Sequence, residues 1–407
     1  MNDILSQLSP MISGKDLIKE MAVLPKYDES IRSQPSTVRL VSLSDIYNIY
    51  IPSAMSVEIY SKLYLALIRS LQKKSGIAAQ IQRNENHKRI HRRESNSILG
   101  GSDSFTILGT SGIGKSTAIN RAIDLIAEKG LIENAHTKII PCLIVQTPHD
   151  CSVKGLLLEI LRKADTFLNS DYYPKALKNR VTTDMLIGNV SQIALNHIGL
   201  LVVDEIQNVV NNKNGKALVA MLTQLINSSG ISICLVGTPE CTLFFEQAQH
   251  LARRSLGLFY GTIEYNQFFY NFCKTIFQYQ YTEHKTEISD SLVRWLFDHS
   301  GGIISSVIAL IHDAQEIAIL SGTETLNFDT LNEAYEKRLT MLHSFISPKI
   351  KTSSTTRKKK QKEESKPIKF DNTTEESIFD IVANAKEKNI NIISALQEKI
   401  QIEVIKI

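Results

Sequence analysis

The stretch Gly109-Thr110-Ser111-Gly112-Ile113-Gly114-Lys115-Ser116 meets every fixed position of the phosphate-binding loop G-x-x-x-x-G-K-[ST]. Its flanks agree. Residues 104–108 are a short β-rich run, and residues 117–129 have the pattern of a helix. Strand, glycine loop and helix start thus follow in the order that wraps backbone N–H groups around a phosphate at a helix N-terminus. The ligands implied are ATP and Mg²⁺. Lys115 would reach the β- and γ-phosphates, the Ser116 hydroxyl would ligate the metal, and Thr117 continues the loop into its helix.

Downstream, Gly199-Leu200-Leu201-Val202-Val203-Asp204-Glu205-Ile206-Gln207 reads as a central parallel strand. Its consecutive apolar residues suit burial on both faces. Two carboxylates at its C-terminal edge have a chemical use: Asp204 can hold Mg²⁺ opposite Ser116, and Glu205 can orient and polarise the attacking water. A further strand over 231–236 ends in Gly237-Thr238-Pro239-Glu240. Thr238 is either the polar residue beside the γ-phosphate or a simple turn residue. A helix over 244–254 ends in Arg253-Arg254. That pair would either reach a neighbouring subunit's nucleotide and stabilise transition-state charge or form surface ion pairs.

The bulk numbers fit an α/β protein of two or three domains. The chain has 407 residues, 43% apolar and 22% charged, as in globular proteins. Five scattered cysteines without a C-x-x-C pair argue against zinc ribbons and a disulfide framework, and for a reducing, cytoplasmic setting. No signal peptide opens the sequence, and no apolar run approaches ~18 residues, so no membrane partner is expected. The basic residues are concentrated. Between residues 346 and 370 stand nine Lys/Arg against two Glu, more than the whole chain's net charge of +4.

Five regions follow. Residues 1–95 form an N-terminal extension and basic connector, and 96–265 the nucleotide-binding core. Residues 266–345 form a helical lid, 346–372 a disordered basic linker, and 373–407 a segment that docks a partner or packs back on its own body. Within the extension, 28–41 reads as an extended arm. A helix opening at 53–58 carries Ile59, Leu63, Leu67 and Leu71 on one face. Residues 75–99 are polar and basic, with Arg83, Lys88, Arg89, Arg92 and Arg93 among His87 and His91. They read either as a nucleic-acid patch or as a solvated connector. In the core, 138–145 is a buried strand, 153–167 and 183–196 are amphipathic helices, and 169–178 is a polar break. Four helices fill the lid, over 268–279, 288–298, 303–320 and 328–342, with Ser300-Gly301-Gly302 as a break.

The loop, acidic strand, polar strand tip, Arg pair and helical lid resemble a P-loop AAA+ ATPase. The stretches 146–157, 201–207, 235–240, 252–254 and 300–303 resemble the TnsC and TniB transposition ATPases. The lid stretches 314–319 and 322–326 resemble TnsC in particular. The resemblance spans about residues 50–345, in order.

It implies an ATPase that self-associates into rings or filaments on duplex target DNA, with little sequence preference. Such a protein connects a target-selecting protein to the transposase, in a bacterial cytoplasm. It also implies DNA-facing residues at Ser152 and Lys154, with Lys175 a further candidate, and contacts that weaken with salt. One departure stands out. Many such lids place a basic residue just after the Gly-Gly turn, whereas Ile303-Ile304-Ser305-Ser306-Val307 has none, which points to slow, regulatory hydrolysis. An AAA+ loader or motor for replication or repair is the alternative. A nucleotide-gated adaptor without turnover fits less well with Lys115, Asp204 and Glu205 all present.

Overall fold

The computed structural model describes residues 5–74, 77–90, 104–128, 130–133, 138–178, 181–210, 212–242, 245 and 257–339. Residues 91–103, Arg253, Arg254 and everything beyond residue 339 lie outside them. So do the readings placed there: the second half of the basic connector, the Arg pair, the basic linker and the C-terminal segment.

The chain opens with α1 (Gly14–Met21), a 3₁₀ turn (Glu29–Ser33), α2 (Ser36–Ser42) and a second 3₁₀ turn (Leu43–Asn48). Next come α3 (Ala54–Lys74), α4 (Ile77–Ile90), β1 (Phe105–Gly109), α5 (Lys115–Ile126), β2 (Ile132–Glu133) and β3 (Lys138–Gln146). Then follow α6 (Val153–Leu168), α7 (Tyr172–Lys178), α8 (Thr183–His197), β4 (Ile198–Asp204), α9 (Gly215–Ser229), β5 (Ser232–Gly237) and β6 (Leu258–Tyr260). Four helices close the described chain: α10 (Gln267–Ile276), α11 (Asp290–Ser300), α12 (Ile304–Ser321) and α13 (Phe328–Arg338).

The strands form one sheet in the order β2-β3-β4-β5-β1-β6. All neighbours are parallel except β2, which runs antiparallel to β3. Strand alternation divides the core between the two faces. Leu200 and Val202 of β4 join Phe105, Ile107, Cys234 and Val236 under α3 and α5. Leu201 and Val203 join Leu143, Val145, Ile233 and Leu235 under α6, α8 and α9. Apolar residues on both faces are the reason β4 reads as a continuous hydrophobic run. The predicted stripe Ile59, Leu63, Leu67 and Leu71 does face the sheet.

The lid has its own core, built from α10–α13 and closed by Leu43 and Ile46 of the second 3₁₀ turn and by Ile49 just after it. Its helix α12 has the length and mean hydropathy of a membrane span. Val307, Leu310, Ile311, Ala314 and Ala318 on that helix are nonetheless fully buried within the lid.

Three segments differ from their sequence reading. Residues 28–41 are not an extended arm: they hold a 3₁₀ turn and α2, bound to the lid. Arg39 is the anchor. Its guanidinium donates to both Glu324 carboxylate oxygens, at 2.6 and 2.8 Å, and to the carbonyl oxygens of Tyr281 and Gln34. Residues 77–90 are a helix packed against α8, not a solvated connector. There Arg83 donates to the Asn196 side chain and Asn86 to the Ser228 carbonyl, each spending its polarity inward. The polar break after α6 contains α7, whose start is nucleated by Asp165 accepting from the Tyr172 and Tyr173 N–H groups.

Candidate functional site

A parallel sheet leaves its ligand-binding crevice at the C-terminal ends of its strands. The phosphate loop leaves β1 there, between β5 and β6. Gly112 and Gly114 have φ of 80° and 95°, a left-handed conformation that only glycine adopts without cost. Thr110 N donates to the Tyr260 carbonyl at 3.2 Å, tying the loop to the edge strand β6. Lys115 opens α5, and its Nζ donates to the carbonyl oxygens of Gly109 and Thr110 at 2.7 and 2.9 Å. The ammonium is thus folded into its own loop, where a phosphate would compete for it. Burial pushes its pKa below the ordinary lysine value, while the Asp204 and Glu205 charges oppose that shift.

Asp204 ends β4 with its carboxylate facing the loop. Ser116 Oγ donates to Asp204 Oδ2 at 3.1 Å, so the hydroxyl and carboxylate expected to share a cation do adjoin. These are hard oxygen donors of the kind Mg²⁺ takes. Glu205 is exposed and sits at φ 58°, a left-handed conformation that costs a glutamate of order 1 kcal/mol. Two hydrogen bonds hold that backbone: Glu205 N to Asp204 Oδ1 at 2.8 Å, and Asn208 N to the Glu205 carbonyl at 3.2 Å. The Glu205 carboxylate accepts from Gln207 Nε2. Thr238, at the tip of β5, has a buried hydroxyl oxygen with no partner, as does Thr147 at the tip of β3.

These residues line a cleft of about 420 Å³, within the range of small-molecule sites. Its phosphate end holds Ser111, Gly112, Ile113, Gly114, Lys115, Ser116, Thr117, Asp204, Glu205 and Thr238. The opposite end is apolar, formed by Ile49 and Ile51 before α3 and by Phe268, Phe272, Ile304 and Ile308 of the lid. The sequence reading missed this apolar end, because its residues come from segments more than 200 positions apart. The lid reaches the loop through its main chain: Ser305 N donates to the Gly112 carbonyl at 3.0 Å. A Cβ at position 112 would strike the Ser305 hydroxyl.

The segment after β4 is stitched to the turn after β3. Thr147 N donates to the Asp204 carbonyl. The side-chain amides of Asn208, Asn212 and Asn214 donate to the carbonyl oxygens of Thr147, His149 and Asp150. This turn leads to the residues proposed to face DNA. Ser152 uses its hydroxyl to cap α6, accepting from Gly155 N at 3.1 Å. Lys154 is exposed on the first turn of α6. Lys175 lies on α7 in an exposed ion pair with Asp171 at 2.7 Å.

Comparison with known proteins adds a family. Residues 100–256 match the model of the bacterial TniB protein. No curated protein matches the chain in sequence. Among solved structures, the chain is similar to the Aeropyrum pernix ORC1 protein in complex with DNA, at 14% identity and a TM-score of 0.41, over 64% of this chain and 65% of that one. It is also similar to the Aeropyrum pernix ORC2 protein in its ADP form, at 16% and 0.40, over 60% and 65%. The third is C. elegans PCH-2, at 13% and 0.40, over 74% of each chain. The chain thus spans about 65% of the length of the two Aeropyrum proteins. The matched segment takes in the phosphate loop, Asp204, Glu205 and Thr238, and over that segment this chain is similar to the bacterial TniB protein.

Proposed function

We infer that this chain is an ATP-dependent regulator of DNA transposition. It hydrolyses ATP slowly, self-associates on target duplex DNA with little sequence preference, and couples a target-selecting protein to the transposase. The observation that carries the reading is the coincidence of the TniB match with a full set of nucleotide groups in one cleft: Lys115, Ser116, Asp204, Glu205 and Thr238. Ser116 and Asp204 would hold Mg²⁺, which when bound supplies charge neutralisation on the phosphates.

The chain's own residues do the rest. The loop N–H groups and Lys115 bind and orient the phosphates. Glu205 accepts a proton from water as that oxygen bonds to the γ-phosphorus. The bond from that phosphorus to the β–γ bridging oxygen breaks, giving ADP and phosphate. Thr238 has an unpartnered hydroxyl that can donate to a γ-phosphate oxygen. Residues 303–307, just after the Gly301-Gly302 turn, offer no basic side chain, in keeping with slow turnover that lets the ATP state mark a target. Arg253 or Arg254, from a neighbouring subunit, would add transition-state charge stabilisation. Lys154 is the first candidate for a DNA phosphate contact, with Lys175 and the Ser152 turn beside it. A replication or repair loader remains the second reading, since it would use the same nucleotide groups.

The test is electron microscopy of the full chain on plain duplex DNA with ATP, a slowly hydrolysed analogue, or ADP. Rings or filaments that require the triphosphate are expected. Single particles in every condition would overturn the assembly reading. Translocation along DNA in their place would favour the loader.

A further inference from the structure

We propose that Gln207 is a positioning residue for Glu205, fixing the carboxylate through which the proposed hydrolysis runs. The inference rests on that reading of the site.

Gln207 lies two residues past Glu205, in the 3₁₀ turn Ile206–Val209. Its Nε2 donates to Glu205 Oε2. The orientation of the amide is forced, because the flipped form would set its carbonyl oxygen against a carboxylate. Glu205 is exposed, so a free carboxylate there would spread over several rotamers, and holding it in one costs conformational entropy. Its backbone is already fixed in the left-handed conformation by Asp204 Oδ1 and Asn208 N. Gln207 supplies the remaining constraint, at the far end of the side chain.

Gln207 is itself confined. Its Oε1 is buried without a partner and lies 3.2 Å from where a Cβ on Gly237 would stand. The same point is 2.7 Å from Ile206 Cγ2 and 3.0 Å from Cys241 Sγ, so the tip of β5, these two side chains and the Gln207 amide meet in one place. A side chain at position 237 would press first on Ile206 and Cys241 and also crowd the Gln207 amide. Four buried side-chain polar atoms lack partners among the described residues. Three of them belong to Thr147, Gln207 and Thr238, at or just past the ends of β3, β4 and β5. Of these three, Gln207 is the one that touches Glu205. Its side chain therefore links the β5 tip to the carboxylate, which neither strand would do alone.

The test is steady-state ATP hydrolysis by the full chain, with the wild type compared with Gln207→Met, Glu205→Gln and the double variant. Methionine keeps the length of glutamine and removes the amide. Nucleotide affinity, read with a fluorescent ADP analogue, serves as the fold control. The expected result for Gln207→Met is a kcat about tenfold lower at unchanged KM and ADP affinity, the size of one hydrogen bond to a charged group. In the Glu205→Gln background, Gln207→Met should have no further effect, because the residue it acts through is gone.

An unchanged or raised kcat for Gln207→Met would overturn the proposal. So would an equal fold-loss in both backgrounds, which would mark a structural role. If Glu205→Gln hydrolyses like wild type, the reading of Glu205 falls first. That result is distinct from failure at Gln207 alone.

Discussion

At the residue scale, the nucleotide groups separate into holders and a reactor, and two variants tell them apart. Lys115→Ala removes the one cation on the loop, which now turns inward on Gly109 and Thr110. Nucleotide affinity should fall 10- to 100-fold, the cost of one or two charge-assisted hydrogen bonds, and DNA assembly should be lost with it. Titration calorimetry with ATP and a DNA pelleting assay check this. Glu205→Gln keeps the size of the side chain and removes its basicity. Binding should persist while turnover slows about 10²- to 10⁴-fold. Complexes on DNA should also last longer, and faster release from DNA would sink the role given to that carboxylate.

This level was the most legible in the sequence. The loop, Asp204 and Glu205 are set by local covalent spacing, and a strand tip delivers them to one place. Gln207 was not singled out, because a glutamine two positions past a carboxylate acquires meaning only when the tip of β5 is seen to meet it.

At the scale of elements, legibility followed the hydrophobic period. Strands β1, β3, β4 and β5 and helices α3, α6 and α8 bury apolar stripes and were placed within a few residues, whereas the short edge strands β2 and β6 were not foreseen. Helix α4 has no such stripe. Its inward positions Ala79, Gln82, Glu85 and Asn86 keep helical spacing but are mostly polar, so a search for apolar periodicity passes over it. Residues 28–41 were misread for a related reason: beside partly buried Ile31 and Leu40, it is a buried arginine that ties them down. Arg39 is 2% exposed and forms a bidentate pair with Glu324 of the lid, and Glu283 stands 3.6 Å away. Arg39→Met should destabilise the protein by about 3–5 kcal/mol, since it leaves a half-buried carboxylate unpaired.

The pair also sets an acid limit. Hydrogen bonding from Arg39 holds the Glu324 pKa below its usual value. Its contribution is therefore present above the ordinary glutamate range and is lost as pH falls through the lowered value. Urea midpoints between pH 7 and pH 3 should drop for the wild type, with a smaller share of that drop in Arg39→Met.

Lys74, at the end of α3, gives an alkaline counterpart. It is buried with Nζ donating to the carbonyl oxygens of Ala194 and Ile198. Burial, with Arg83 nearby, lowers its pKa from 10.5 to about 7. Between those values the unfolded chain carries a proton that the folded chain does not, so this group makes stability rise with pH across that window. Lys74→Met should flatten that slope in denaturation curves taken from pH 7 to pH 10, whatever it does to stability at any single pH.

At the scale of the whole described body, the cleft is shared among three parts that are remote in the chain. The residues before α3 supply Ile49 and Ile51, the sheet supplies the loop and the strand tips, and the lid supplies Phe268, Phe272, Ile304 and Ile308. The lid also donates Ser305 N to the loop itself. A ligand filling both ends of the cleft would therefore stabilise the joints between these parts as well as the loop. Nucleotide at a hundred times its dissociation constant should add about 2.7 kcal/mol and raise the melting temperature by several degrees. The part of that increment owed to the apolar end should depend on Ile51, before α3, and Ile304, which opens α12. Each Ile→Ser change removes apolar contact worth roughly 1–2 kcal/mol of ligand binding and leaves Lys115, Ser116 and Asp204 in place. Differential scanning fluorimetry with and without ATP should show a smaller shift for both variants, while inorganic tripolyphosphate, which has no base, should shift them as it shifts the wild type. A full ATP shift in both variants would mean that the nucleotide is held by its phosphates alone. The lid's contact through Ser305 would then act on the loop without help from the base.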